Sequence, residues 1–410
     1  MTLAKVAATM SLGFVVGVGT IAHAEDKPKR STPHVELKQP DRPSELIERR
    51  ASLRLFGDQP KADLLRSMLN EARRLVDMGE LDLGLKHYAQ LTQVSKDGWL
   101  YVEVGATLAW YGRYNEALAY LEEGLSKEPF SFQGILGMAV TRDALGQTAE
   151  AMRLYKRALM IRPDNYDARF NLGRLQYAQG QLEQAESTYR DLIGRRGEDW
   201  KSLNNLGLVL LERGQPTAAI APLRRALKLK PKDPGLLYNM GRAHAARNEQ
   251  TRALSYYDRA LKGWGADDIA AVSLHFARGN ALFVLRRYKE AAEAFGQAHA
   301  LDPDSSNVLL NLGAALANQG RYEEAIEALE SAVDNTPRPS QVYHQIALCY
   351  MYDDKLDAAL KSLEQARALN DQDPETWELL SQVHDARGDE KASTQALAEA
   401  CRLGSKRSCR

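Results

Sequence analysis

Apolar and polar positions alternate along most of the chain with two superposed periods. The short period is helical. Leu203, Leu206 and Leu210 fall three and four residues apart, and Ala219, Leu223 and Ala226 repeat that spacing after a break at Gly214. The long period is a recurrence of this whole unit. Asn171-Leu-Gly173, Asn205-Leu-Gly207 and Asn239-Met-Gly241 are 34 residues apart, and Asn311-Leu-Gly313 follows after 72. Gly112, Gly146, Gly180 and Gly214 keep the 34-residue step, as do Ala117, Ala151, Ala185, Ala219 and Ala253, and the prolines at 129, 163 and 231. A fixed period of this size marks stacked repeats. Each unit predicts two amphipathic helices, a glycine-bearing turn between them and a proline stop after the second. Small residues at the eighth and twentieth positions of the unit, such as Gly207 and Ala219, let the paired helices approach closely. One pair cannot bury its apolar face alone, so neighbours must stack, which predicts an elongated, right-handed, all-α solenoid.

On these residues the chain resembles the tetratricopeptide repeat family, whose unit is a 34-residue helix–turn–helix. With Gly207 at position 8, the residues Leu203, Leu206, Leu210, Gly214, Ala219, Leu223, Ala226 and Pro231 stand near the family's expected places. The register starts repeats at about 98, 132, 166, 200, 234, 272, 306, 340 and 374, with a weaker one from about 65, giving nine to ten repeats over roughly 340 of the 410 residues. Asn248, Arg286 and Asp354 replace the turn glycine, and Gly197 and Gly265 replace proline.

After Leu261 the phase slips by four residues. The slip predicts a change of angle between the sixth and seventh repeats, dividing the solenoid into a block at 61–262, a connector at 263–271 and a block at 272–407, ahead of a basic tail at 408–410. At the other end, Met1-Thr-Leu-Ala-Lys5 precedes an uncharged, mainly apolar run from Val6 to Ala22, then Ala22-His-Ala24 and a polar stretch. That order predicts a signal peptide over residues 1–24 and an exported, periplasmic protein without membrane insertion once it is cleaved. An uncleaved inner-membrane anchor is the alternative. Residues 25–60, with five prolines among many charges, predict an extended tether, interrupted by a helical segment from Ser44 to Phe56.

Composition changes this picture little. Lysine plus arginine balance aspartate plus glutamate at 54 each, so no global charge points to nucleic acid. Three cysteines make neither a disulfide scaffold nor a zinc ligand set. In an oxidising compartment Cys401 and Cys409 are a disulfide candidate that would close the C-terminal tail. Cys349 reads as a small buried apolar residue. The eight histidines show no ligand spacing, and no nucleophile, phosphate-loop or dinucleotide motif occurs, so neither a cofactor nor an enzyme is expected.

The candidate chemistry is therefore that of binding. Asn171, Asn205, Asn239 and Asn311 occupy position 6 of their repeats, and the resemblance places that position on a concave groove. A side-chain amide both donates and accepts, so a ladder of them would grip an extended backbone of any sequence; repeat-to-repeat packing is the other reading. Arg174, Lys201 and Arg242 are predicted on the same surface, where they would attract a carboxylate. The family's carboxylate clamp, lysine at position 5 with asparagine at 9, is absent from these repeats. Trp99 and Trp110 are predicted as aromatic anchors or as core. Together these features predict a non-enzymatic scaffold or adaptor that holds a protein segment in its groove. By analogy with exported members of the family, its setting would be envelope assembly or secretion. The alternative is an accessory subunit of a glycan- or peptidoglycan-processing or export complex.

Overall fold

Glycine, alanine and the residue before each first helix set the architecture. In the computed structural model, which describes residues 59–264 and 269–409, every element is a helix and no strand occurs among the described residues. The chain divides into two compact units that meet in sequence between Leu229 and Lys230. The first holds α1 (Gln59–Asp77), α2 (Leu81–Val94), α3 (Gly98–Trp110), α4 (Tyr114–Lys127), α5 (Phe132–Ala144), α6 (Thr148–Ile161), α7 (Tyr166–Ala178), α8 (Leu182–Arg196), α9 (Trp200–Glu212) and α10 (Pro216–Leu229). The second holds α11 (Pro234–Ala246), α12 (Gln250–Leu261), α13 (Ile269–Val284), α14 (Tyr288–Leu301), α15 (Ser306–Ala317), α16 (Tyr322–Ala332), α17 (Pro339–Tyr352), α18 (Leu356–Leu369), α19 (Pro374–Ala386) and α20 (Glu390–Arg402), with a single 3-10 turn at Val333–Asn335. Each unit is thus a stack of antiparallel helix pairs.

Several first helices start where a side chain can satisfy their free N–H groups. Ser131, Asn165, Asp199 and Asp233, at 34-residue steps, each accept a hydrogen bond from the backbone N–H three residues on. Most first helices stop in a left-handed residue, as Gly112, Gly146, Gly180 and Gly214 do with φ between 69° and 78°. At Asn248, Arg286 and Asp354 the chain makes the same turn without glycine, each with φ of 60°. The hydrogen bonds are those of the glycine turns: Arg286 N–H donates to Phe283 O and Arg287 N–H to Leu282 O, as Gly214 does to Leu211 O and Gln215 to Leu210 O.

Small residues at fixed places bring the helices together. Ala117, Ala151, Ala185, Ala219, Ala253, Ala291, Ala325 and Ala359, all at position 20, are fully buried. The glycine at position 8 lies against the side chain at position 24 of its own pair. A Cβ on Gly241 would stand 2.3 Å from Tyr257 Cε1, and one on Gly207 2.5 Å from Leu223 Cγ.

The phase slip falls within the second compact unit. There α13 runs for 16 residues against 13 in α11, and α12 packs on α13. Residues 265–268 of the connector lie outside the described residues, as do the signal peptide, the tether to residue 58 and the last basic residue. Among the described residues no helix is long and apolar enough to cross a membrane.

Candidate partner-binding surface

Within each unit, first helices of successive pairs touch one another: α3 with α5 and α7 with α9 in one, α11 with α13, α13 with α15 and α17 with α19 in the other. Second helices pack chiefly on first helices. First helices therefore form the closer-set wall, and their half-buried positions are the candidate surface.

The asparagines are placed differently from the expected ladder. Asn171, Asn205 and Asn239 are only 1, 6 and 4 % exposed, and Asn311 is half-buried. For Asn171 and Asn205, position 24 of the preceding repeat is a tyrosine, Tyr155 and Tyr189. Asn205 Nδ2 donates to the Tyr189 hydroxyl at 3.0 Å. Asn171 adjoins the Tyr155 hydroxyl, which also lies 3.4 Å from Asp143 Oδ2. Glu103 takes the same place one repeat after Tyr88, whose hydroxyl donates to its Oε1 at 2.8 Å. Burial raises the Tyr88, Tyr155 and Tyr189 hydroxyls well above the usual tyrosine range, so they remain protonated donors. Asn311 turns back on its own helix, with Nδ2 donating to Asn307 O at 2.8 Å. The expected ladder is therefore not an exposed row: three of its amides are buried, and Asn205 fastens its repeat to the preceding one through the Tyr189 hydroxyl, which needs a polar partner inside the stack.

The basic residues also carry internal contacts. Arg174 is bound to Asp143, which belongs to the preceding pair. Arg73, at the same place in the first pair, grips buried Glu103 with two bonds, Nε to Oε1 at 2.7 Å and Nη2 to Oε2 at 2.8 Å. Such a bidentate pair restores the hydration that Glu103 loses on burial. Arg174 therefore does not stand ready for a partner's carboxylate; its charge is matched within the stack. Arg242 lies over Tyr238, 5.9 Å from the ring centroid, and Lys201 lies 5.4 Å from the Trp200 ring centroid. Trp99 packs, half-buried, on the core formed by Leu65, Leu69, Leu100 and their neighbours, and its backbone N–H donates to Glu128 Oε1 at 2.9 Å. Trp110, the last residue of α3, is half-buried.

Sequence reasoning missed other wall residues. Tyr166, Tyr177 and Asn204, on α7 and α9, are half-buried in consecutive repeats, alongside Lys201. Tyr166 stacks on Phe170 with centroids 5.6 Å apart, and its hydroxyl donates to Asp199 Oδ1 at 2.9 Å. It also missed the Arg73–Glu103–Tyr88 cluster. Its signal was an arginine at position 9 with an acidic residue at position 6 of the next repeat. Cys349 is buried, and burial pushes its thiol up to about 12.

Comparison with known proteins agrees with this architecture. Tetratricopeptide repeat profiles match residues 144–205, and again 204–268, 276–338 and 345–408. Comparison with curated proteins gives no significant match. Among solved structures, the C-terminal part of a TPR repeat-containing protein from Cytophaga hutchinsonii superposes with a TM-score of 0.50 at 12 % identity, covering 58 % of this chain and 97 % of that one. YrrB, described as a TPR protein with an unusual peptide-binding site, is 20 % identical with a TM-score of 0.40, over 44 % of this chain and 92 % of its own. The Cut9–Hcn1 complex gives 16 % identity and a TM-score of 0.42, over 88 % of this chain and 77 % of the matched one.

Proposed function

Because the chain belongs to the tetratricopeptide repeat family, we propose that it is a non-enzymatic scaffold that holds a protein segment against its first helices. One observation supports this reading most: α7 and α9, first helices of consecutive repeats, carry Tyr177, Lys201 and Asn204, all three half-buried. Aromatic rings with polar tips bind by area and by directed hydrogen bonds together, and such groups recur where protein segments dock. An extended segment laid across several repeats makes many small contacts, whose combined strength needs no deep pocket.

The setting in envelope assembly or secretion is part of the proposal. It is supported by the order of charged, apolar and small residues over 1–24. The test is capture of partners from cells that express the full chain. The variant Lys201→Glu with Asn204→Ala is expected to retain the helical circular dichroism of the parent and to lose a defined set of envelope proteins. An unchanged set from the folded variant would move binding away from α9.

A further inference from the structure

The C-terminal end of the stack carries a device of its own. Position 5 of a first helix ordinarily meets the next pair. His344 on α17, only 4 % exposed, shows the arrangement: its Nε2 lies 2.8 Å from Thr376 Oγ1 on α19. Glu378 holds the same position on α19, and no helix pair follows it among the described residues. Ser405 and Ser408 meet it instead. After α20 the chain turns at Gly404, whose φ is +96°, with Gly404 N–H donating to Cys401 O and Ser405 N–H to Ala400 O. The Ser405 and Ser408 hydroxyls then both donate to Glu378 Oε1, the second at 3.2 Å. Ser405 Oγ in turn accepts from the Arg407 and Ser408 N–H groups at 3.3 Å each. A disulfide between Cys401 and Cys409 closes this turn, with the two Cα atoms 4.9 Å apart. Its Cys409 end is exposed and its Cys401 end half-buried.

We infer that residues 403–409 are a redox-governed cap on the α19–α20 pair, anchored on Glu378 and held shut by the Cys401–Cys409 bond. A short tail with few apolar contacts does not outweigh its own ordering entropy without a covalent tie. A dithiol that reaches the exposed sulfur supplies two electrons and two protons. The Cys401–Cys409 bond breaks, both residues become thiols and the dithiol closes to its own disulfide. The tail then leaves Glu378, and the end of α19 and α20 opens to solvent.

Hydrogen exchange of the full chain, read by mass spectrometry, tests this. The untreated protein, unfolded in denaturant, should titrate one thiol, that of Cys349. Added dithiothreitol should speed exchange of the 403–409 amides at least tenfold and raise exchange in α20. Cys401→Ser with Cys409→Ser should exchange fast from the start and ignore the dithiol. Glu378→Ala, with the disulfide intact, should lose much of the tail's protection. Three titratable thiols in the untreated protein, tail protection that survives reduction, or full protection in Glu378→Ala would each overturn the inference.

Discussion

Asn205 and Tyr189 show how a single side chain can be read in two ways from sequence. An amide recurring every repeat suits a groove, and it equally suits a buried hydroxyl that needs a partner. The residue that decides between them sits sixteen positions earlier, at position 24 of the preceding repeat. Asn171 and Asn205 follow a tyrosine there, whereas Ala277 follows Tyr257 without an amide, so the pairing is incomplete along the chain. Removing one partner strands the other. Asn205→Ala should destabilise the protein by about 1–3 kcal/mol, the cost of a buried hydroxyl without its bond, measured by urea unfolding. Were the amide a groove contact instead, the same change would leave stability within about 0.5 kcal/mol and weaken capture of partners. The turns give a second residue-scale test. Arg286 adopts φ of 60°, a region that costs a side-chain-bearing residue about 1–2 kcal/mol, while asparagine and aspartate tolerate it better. Arg286→Gly should therefore raise the unfolding midpoint more than Asn248→Gly does, and a lowered midpoint would contradict the turn's strain.

At the scale of elements, most of the stack was legible. The first helices begin at 98, 132, 166, 200 and 234, where the 34-residue register puts them. Position 20 alanines and turn glycines were legible for the same reason, since steric fit between paired helices leaves little choice of residue. The slip after Leu261 was legible as an insertion. Added residues can kink a stack or extend a helix, and the sequence does not tell which; α13 is 16 residues long against 13 in α11. Ion pairs between repeats, such as Arg73 with Glu103 and Arg174 with Asp143, escaped notice because each involves a partner about one repeat away in sequence. The junction of α17 and α19 carries a pH dependence. Burial holds the His344 imidazole below its usual pKa against the opposing pull of Asp373, with Glu375 also nearby. The folded state thus prefers the neutral ring. Its contribution is whole above the unfolded value of about 6.5 and is lost as pH falls from there through the lowered folded value. The melting temperature should fall across that window, and less steeply in His344→Gln; equal slopes would remove His344 from the account.

For the whole molecule, the repeat lattice explains why family and fold were readable while the partner was not. Packing constraints recur in every repeat and so write themselves into the sequence many times. A binding contact need not recur from repeat to repeat, and no period singles out Tyr177 or Asn204, two of the residues proposed for the binding wall. The central claim is that first helices, and not second helices, face the partner. Photo-crosslinking in cells tests it most directly, with a benzoyl-phenylalanine placed in turn at Tyr177, Lys201 and Asn204 on the first-helix wall and at Ser187 and Arg224 on second helices. Adducts to one common set of proteins from the first three positions, and none of that set from the other two, are the expected result. The same adducts from Ser187 and Arg224, with none from α7 and α9, would contradict it.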